Sequence, residues 1–530
     1  MRRKQRNFLA LMFLLGFGTL IFVLSNRAEV YEALRMAVSD DHSFQYIFDK
    51  FTGRLPDILM KYSTSLIWAY GIFIAGVILL EERNPDRTIR WLLVLILLPG
   101  IGFLFYLFFG PDIRIRKNVR RLKKRKSHPA EVAPLLSRIK KMKGVEDSAV
   151  KTAMLLFKNS RALPTQGNRV VMLLNGSETY ISMKKALWEA RSYIYFEFYA
   201  VHNDKIGNDI KEILIAKAKE GLTVKFIYDS VGSWKLGKKY VKELKDAGVH
   251  VHSFLPVSFP MLRRDLNYRN HRKIIVVDGT VGFMGGLNIG DNYIFGEPGL
   301  GFWRDTHLKI EGPGVGCLED IFNTDCLFCD RNHVPIPRPD EYEYPTPGRT
   351  TMQIVPSGPD SNWQSIHQGY FSLITNAKKF VLVTTPYLVP GESLVTALTV
   401  ASLSGLDVRM IIPEKGDNKL AHWATLSSVE ELLKAGVKVY SYQRGFIHSK
   451  ILMADDSIVS VGTANLDARS LEINFEVQAF IYDRSVGKDF IKAFRSDLKH
   501  SRQFRLHEWL KRPLRRKMLE KASRLWSTQL

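Results

Sequence analysis

Apolar positions along the chain follow two regimes. In the first they run on unbroken. Residues 8–24 are uncharged and follow Arg2, Arg3, Lys4 and Arg6; residues 66–80 extend back through Ser63-Thr64-Ser65; residues 91–110 carry no charge. Runs of this length suit helices crossing about 30 Å of hydrocarbon. They predict spans at about 8–24, 63–80 and 91–110, the last two joined as a hairpin by the charged stretch 81–90. Small residues are poorly placed for cleavage around Ser25-Asn26-Arg27-Ala28, so the first run reads as an anchor rather than a removed leader. The second regime opens at Arg169, where short apolar strands (170–174, 193–199, 224–228, 249–254) alternate with helical runs (208–221, 239–247). That alternation predicts an α/β fold with mixed sheets flanked by helices. Residues 127–166 read as a polar linker with a short helix.

The chain then repeats itself. Gly221-Leu-Thr-Val-Lys-Phe-Ile227 returns as Gly405-Leu-Asp-Val-Arg-Met-Ile411, and Ala247-Gly-Val-His-Val251 as Ala435-Gly-Val-Lys-Val439. Two matches in one order at nearly constant offset predict duplicated domains, at 167–345 and 350–485, with the Pro-rich stretch 335–347 between them. Residues 1–126 form the membrane region and 486–530 a basic amphipathic C-terminal segment.

Charge sharpens the picture. Lys and Arg total 76 against 53 Asp and Glu, a net +23, which calls for anionic partners. Residues 1–126 hold 21 of the cations and 10 of the anions, beside the most apolar runs, so a bilayer is favoured over a polynucleotide. Cys317, Cys326 and Cys329 are too few to staple a chain of 530 residues. Cys326 and Cys329 have the spacing of half a zinc site but no second half, and read as small apolar fillers on a helix.

The repeat also carries chemistry. Asn270-His271-Arg272-Lys273-Ile-Ile-Val-Val-Asp278-Gly279 leads to Gly285-Gly286-Leu287-Asn288; His448-Ser449-Lys450-Ile-Leu-Met-Ala-Asp455 leads to Gly462-Thr463-Ala464-Asn465. Both read His-x-Lys-x4-Asp-x6-Gly-[Gly/Thr]-x-Asn. Alternation on a strand sets each histidine beside its lysine, and the aspartates mark hairpin turns that bring each asparagine back to the same edge. Two facing halves would form one site. Lys273, Lys450, Asn288 and Asn465 would hold the non-bridging oxygens of a phosphodiester. One neutral histidine would attack phosphorus and the other would shuttle the proton, since imidazole titrates near neutrality. Asp278 and Asp455 belong to the catalytic motif as orienting groups. No metal or cofactor is called for, because the lysines supply the positive charge, and no Gly-x4-Gly-Lys phosphate loop occurs.

This motif pair resembles the phospholipase D superfamily, and within it the bacterial cardiolipin synthases. Beyond the motifs, the likeness rests on Tyr268-Arg269-Asn270, Gly301-Phe302-Trp303-Arg304-Asp305, Pro356-Ser357-Gly358-Pro359-Asp360, Thr385-Pro386-Tyr387-Leu388-Val389-Pro390, Asn465-Leu-Asp-Ala-Arg469-Ser470, Asn474-Phe475-Glu476 and Trp509-Leu-Lys-Arg-Pro513. Gly286 departs from the Ser or Thr of many superfamily members, which questions a hydroxyl contact in the first half. The resemblance implies two phospholipase D-like domains behind transmembrane helices in a bacterial plasma membrane. It implies transfer of a phosphatidyl group between two phosphatidylglycerols to give cardiolipin and glycerol, with His271 as nucleophile and His448 as acid and base. A membrane-anchored hydrolase of phospholipid or nucleic acid is the alternative. A nuclease would want a basic groove with stacking aromatics and has no use for apolar spans; an inert scaffold would not need both histidines.

Three further features carry expectations. Glu476 pairs either with a catalytic histidine or with Arg469. Arg263, Arg264, Arg269 and Arg272 either hold lipid phosphates or pair with Asp265 or Glu197. Residues 499–524 hold ten Lys and Arg against Glu508 and Glu520, interleaved with Trp509, Leu510, Leu514, Met518 and Leu519, and suit an anionic membrane surface.

Overall fold

The computed structural model describes residues 147–256, 267–336 and 345–525, with residues 76, 89 and 91–94, which are helical. The expected spans at 8–24, 63–80 and 91–110 lie outside the described residues but for 76 and 91–94. Among the described residues no helix is long and apolar enough to cross a membrane. Arg263, Arg264 and Asp265 also lie outside. The chain divides into two compact units, Met1–Gly110 and Pro111–Leu530, and the strands belong to the second.

Its first half contributes strands β1 (Pro164–Leu174), β2 (Tyr193–Phe198), β3 (Thr223–Asp229), β4 (His250–Phe254), β5 (Lys273–Val277), β6 (Val281–Gly285), β7 (Phe302–Arg304) and β8 (Thr306–Glu311). The second contributes β9 (Thr350–Ser357), β10 (Phe380–Thr384), β11 (Leu388–Val389), β12 (Asp407–Pro413), β13 (Lys438–Tyr442), β14 (Gly445–Ile447), β15 (Ile451–Ala454), β16 (Ile458–Gly462), β17 (Leu466–Asp467), β18 (Glu476–Ile481) and β19 (Ser501–Gln503). Fifteen of them make one mixed sheet. Read outward from the β1–β9 seam, one wing runs β1-β8-β6-β5-β2-β3-β4 and the other β9-β18-β16-β15-β10-β12-β13, with β19 added at its edge. The same order in both wings is the repeat read from the sequence. β1 and β9 pair antiparallel across the seam.

The repeated sequence pairs become β3 with β12 and β4 with β13. These are the parallel outer strands of each wing, packed under helices such as Lys205–Lys219 and Lys238–Asp246. In β3 the buried Val224, Phe226 and Ile227 are interrupted by the half-buried Lys225, as suits a strand more covered on one face than the other. β5 and β15 are buried at every position. One apolar cluster draws Tyr195, Ile274 and Phe322 from the first half and Met453, Val477 and Phe490 from the second, so the wings share a core layer.

Within the linker expected over 127–166, the described residues begin at Asp147 and form its short helix. The helix Asp147–Ser160 buries Ala149, Ala153, Leu156 and Phe157 among Ile366, Tyr370 and Phe480 of the second half, and β1 already begins at Pro164. Its apolar positions at helical spacing find a partner surface far along the chain, which a local reading of polarity overlooks. Cys326 is buried in the core layer, while Cys317 and Cys329 are half-buried; all three lie on the helix Gly314–Cys329.

Candidate active site

Each motif histidine stands in the segment that enters a buried strand, and each entering segment is held by the opposite half. Asn270 bridges Phe475 and the His271 amide donates to the Phe475 carbonyl at 2.9 Å. β14, which leads into His448, pairs with β7, and the His448 amide donates to the Arg304 carbonyl at 2.7 Å. The side chains repeat the exchange. His271 Nδ1 lies 3.0 Å from both carboxylate oxygens of Glu476 in the second half. His448 Nδ1 lies 2.7 Å from Asp305 Oδ2 in the first. A carboxylate on Nδ1 fixes that nitrogen as the donor and leaves Nε2 with its lone pair.

The lysines complete the set. Lys273 Nζ donates to the His271 carbonyl at 2.8 Å, and Lys450 Nζ donates to the His448 carbonyl and lies 2.8 Å from His448 Nδ1. Lys273, Lys450, Asp305 and Glu476 are all buried, at 1% exposure or less; the histidines keep 9% and 6%. Among the histidines, lysines and their carboxylates, the imidazoles are thus the most exposed groups. Aromatic walls close the site: the Tyr199 ring meets His271 edge-on at 4.9 Å, and Trp303 lies 5.2 Å from the His448 ring.

Burial dominates the titration. It pushes His271 down to about 4, against the pull of Glu476, and His448 down to about 3, where Lys450 adds to the effect. Both imidazoles are then neutral at pH 7 and nucleophilic. Burial also lowers Lys273 to about 7 and Lys450 to about 8. An arriving phosphodiester anion would favour the charged form of both. Burial opposes ionisation of Asp305 and Glu476 as well, but the adjacent cations and imidazoles hold both below the usual carboxylate range. The charge of Lys450 acts on His271 and that of Lys273 on His448, so the two sets share one electrostatic field.

The remaining motif residues have separate places. Asp278 and Asp455 are not beside the histidines. They sit in the hairpin turns at the far ends of β5 and β15, roughly 15 Å along the strands. Asp278 accepts the amides of Arg191, Ser192 and Tyr193 at 2.8–2.9 Å; Asp455 accepts those of Lys378, Lys379 and Phe380 at 2.8–3.0 Å. As the orienting role expected of them requires, they act through hydrogen bonds, clamping the hairpin onto β2 and β10. Asp278→Ala should cost about 2–4 kcal/mol of stability through lost charge-assisted hydrogen bonds, while turnover per folded molecule changes less than about twofold. Thermal melting beside initial rates checks this. Asn288 accepts the Ala200 amide and donates to Tyr293 Oη, both at 3.3 Å. Asn465 stands at the equivalent place of the other wing, 6% exposed.

The hydroxyl contact questioned at Gly286 exists in one half only. Thr463 Oγ1 donates to Glu476 at 2.5 Å. A Cβ on Gly286 would fall 2.2 Å from Asp305 Oδ1, so Asp305 occupies the space a hydroxyl residue would need. Glu476 takes His271 rather than Arg469, which donates instead to Asn267. Arg269 and Arg272 are ion-paired, with Asp229 at 3.4 Å and Asp325 at 2.5 Å. Asp305 is the residue sequence reasoning missed. Its signal was present, since Asp305 and Glu476 both stand at the start of the strand returning after each Asn motif.

Two wings of mixed sheet with a histidine–lysine pair from each, steadied by exchanged carboxylates, define a phospholipase D-type phosphodiester site. A family described as "Cardiolipin synthase, PLD-like domain" matches residues 183–296 and 370–498, and "Phospholipase_D-nuclease N-terminal" matches residues 67–111. A cardiolipin synthase of Halalkalibacterium halodurans is 43% identical over 472 residues, covering 87% of this chain and 92% of its own. The major cardiolipin synthase of Bacillus subtilis is 40% identical over 473 residues, covering 87% and 98%. Among solved structures, phosphatidylserine synthase of Haemophilus influenzae superposes with a TM-score of 0.54 at 16% identity, over 68% of this chain and 95% of its own, a likeness of fold. The chain belongs to the cardiolipin synthases of the phospholipase D superfamily.

Proposed function

We propose that the protein transfers a phosphatidyl group from one phosphatidylglycerol to another, giving cardiolipin and glycerol. The observation that carries the reading is the exchange of carboxylates: each half supplies the group that orients the other half's histidine, so the duplicated motifs work as one site. His271 Nε2 attacks phosphorus, and the bond from phosphorus to the headgroup glycerol oxygen breaks. His448, which takes up a proton when the phosphodiester anion arrives beside Asp305 and favours the charged imidazolium, gives that proton to the glycerol oxygen, and glycerol leaves. The terminal hydroxyl of a second phosphatidylglycerol then gives its proton to His448 and attacks phosphorus; the phosphorus–nitrogen bond breaks and cardiolipin forms. Lys273 and Lys450, with Asn288 and Asn465, hold the non-bridging oxygens through both steps. One phosphodiester replaces another, so no nucleotide is consumed.

The acceptor must outcompete water. The burial of the reacting groups and the aromatic walls support a water-poor cleft. The expected spans at 8–24, 63–80 and 91–110 would hold that cleft at a bacterial plasma membrane as a multi-pass protein. Purified enzyme given phosphatidylglycerol as the sole lipid should release cardiolipin and glycerol in equal amounts, read by mass spectrometry and an enzymatic glycerol assay. Phosphatidic acid as the sole product would replace this reading with hydrolysis.

A further inference from the structure

The C-terminal helix Leu514–Leu525 is inside out. Its inward face is ionic: Glu520 and Ser523 are 2% and 4% exposed, and Glu520 is clamped by Arg512 at 2.6 Å and Arg516 at 3.3 Å. Its outward face is apolar. Leu514 and Met518 are 72% and 63% exposed and stand one turn apart on the same side. At helical spacing Arg515 flanks this stripe on one edge and Lys521 on the other, both exposed, and neither makes an ion pair among the described residues. Leu510, just before the helix, is 42% exposed. A helix serving only the fold would present the opposite arrangement.

The position of this face adds meaning. The helix packs along Lys419–Lys434. Arg512 and Lys517 act on Glu430, and Arg516 acts on His422, nearer the start of that partner helix. The start of that partner helix adjoins the site, since Asp417, two residues before it, accepts from Tyr387 at 2.6 Å and its charge acts on Lys450.

We infer that this outward face docks on an anionic bilayer surface beside the cleft. Leu514 and Met518 would enter the headgroup boundary while Arg515 and Lys521 meet lipid phosphates, holding the mouth of the site at the plane where lipid headgroups lie. The inference rests on the proposed reaction only in taking the substrate to be a lipid. Charge complementarity selects the occupant: an apolar stripe edged by unpaired cations suits anionic lipid better than a second copy of a chain with net charge +23.

The test uses the full-length protein in nanodiscs, with Cys317, Cys326 and Cys329 changed to Ala and an environment-sensitive fluorophore on Met518→Cys. A control carries it on Lys239→Cys, whose native side chain is 91% exposed on a distant helix. In phosphatidylglycerol discs the emission at 518 should shift to the blue relative to phosphatidylcholine discs, while the control stays fixed. An unchanged 518 signal, an equal shift in both lipids, or a shift in detergent that follows protein concentration would overturn docking. In a second arm, Leu514→Ser, Met518→Ser, Arg515→Gln and Lys521→Gln are combined. Turnover in phosphatidylglycerol discs should fall about tenfold and stay unchanged in mixed micelles; equal loss in both would contradict the inference. If the unmodified enzyme made no cardiolipin anywhere, the reaction would fail while the fluorescence still reported docking.

Discussion

His271→Ala lowers cardiolipin formation by about 10⁴-fold or more, because it removes the atom that bonds to phosphorus. His448→Ala costs about 10²–10⁴-fold, because glycerol must then leave as an unprotonated alkoxide. The double variant is no slower than His271→Ala alone, since both residues serve one reaction path. The roles separate with a better leaving group. A phosphatidyl ester of p-nitrophenol needs little proton donation, so His448→Ala should release nitrophenol at an appreciable rate while His271→Ala should not. Rescue of His271→Ala instead would exchange the assignments. Initial rates on folded protein, verified by thermal melting, check all three variants.

The second large effect crosses the seam. Asp305→Asn, a change in the first half, should disable the histidine of the second, and Glu476→Gln the reverse. Each replaces a carboxylate that fixes an imidazole tautomer and stabilises its charged form, an interaction whose loss costs up to about 10⁴-fold in rate. The nitrophenyl ester sorts them: Asp305→Asn should be rescued like His448→Ala, and Glu476→Gln should stay inactive like His271→Ala. The pH profile gives a further reading. Glu476 raises the pKa of His271 against burial, so Glu476→Gln should move the acidic limb of kcat/KM to lower pH. An acidic limb that stays in place would show that the carboxylate does not govern that imidazole.

Much of this was legible in the chain, for local reasons. The strands expected at 193–199 and 224–228 appear as β2 and β3, because short segments rich in aromatic and β-branched residues between turns have few other ways to be buried. The repeat at 221–227 and 405–411 appears as equivalent outer strands, and each motif is held by a carboxylate of the opposite wing. What escaped reading depends on contacts between distant residues. His271 and Glu476 are 205 positions apart, and only the pairing of each histidine segment with the other wing decides whether Glu476 meets a histidine or Arg469. Asp305 was visible only as part of a recurring segment, since nothing local marks a buried carboxylate as a histidine partner. Asp278 and Asp455 were expected to act through hydrogen bonds, but the sequence did not name their partners, which a strand of five or four residues sets at the far end of the hairpin. The outward apolar face of Leu514 and Met518 is likewise a fact of packing, because periodicity alone does not say which side of a helix meets the protein.

The most direct measurement quenches the enzyme in acid during turnover of phosphatidylglycerol, digests it, and locates the phosphatidyl group by mass spectrometry. The expected result is an adduct on the peptide bearing His271, present in His448→Ala and absent from His271→Ala. An adduct on any other residue, or product formed in a single turnover with no adduct at any time, would contradict the account.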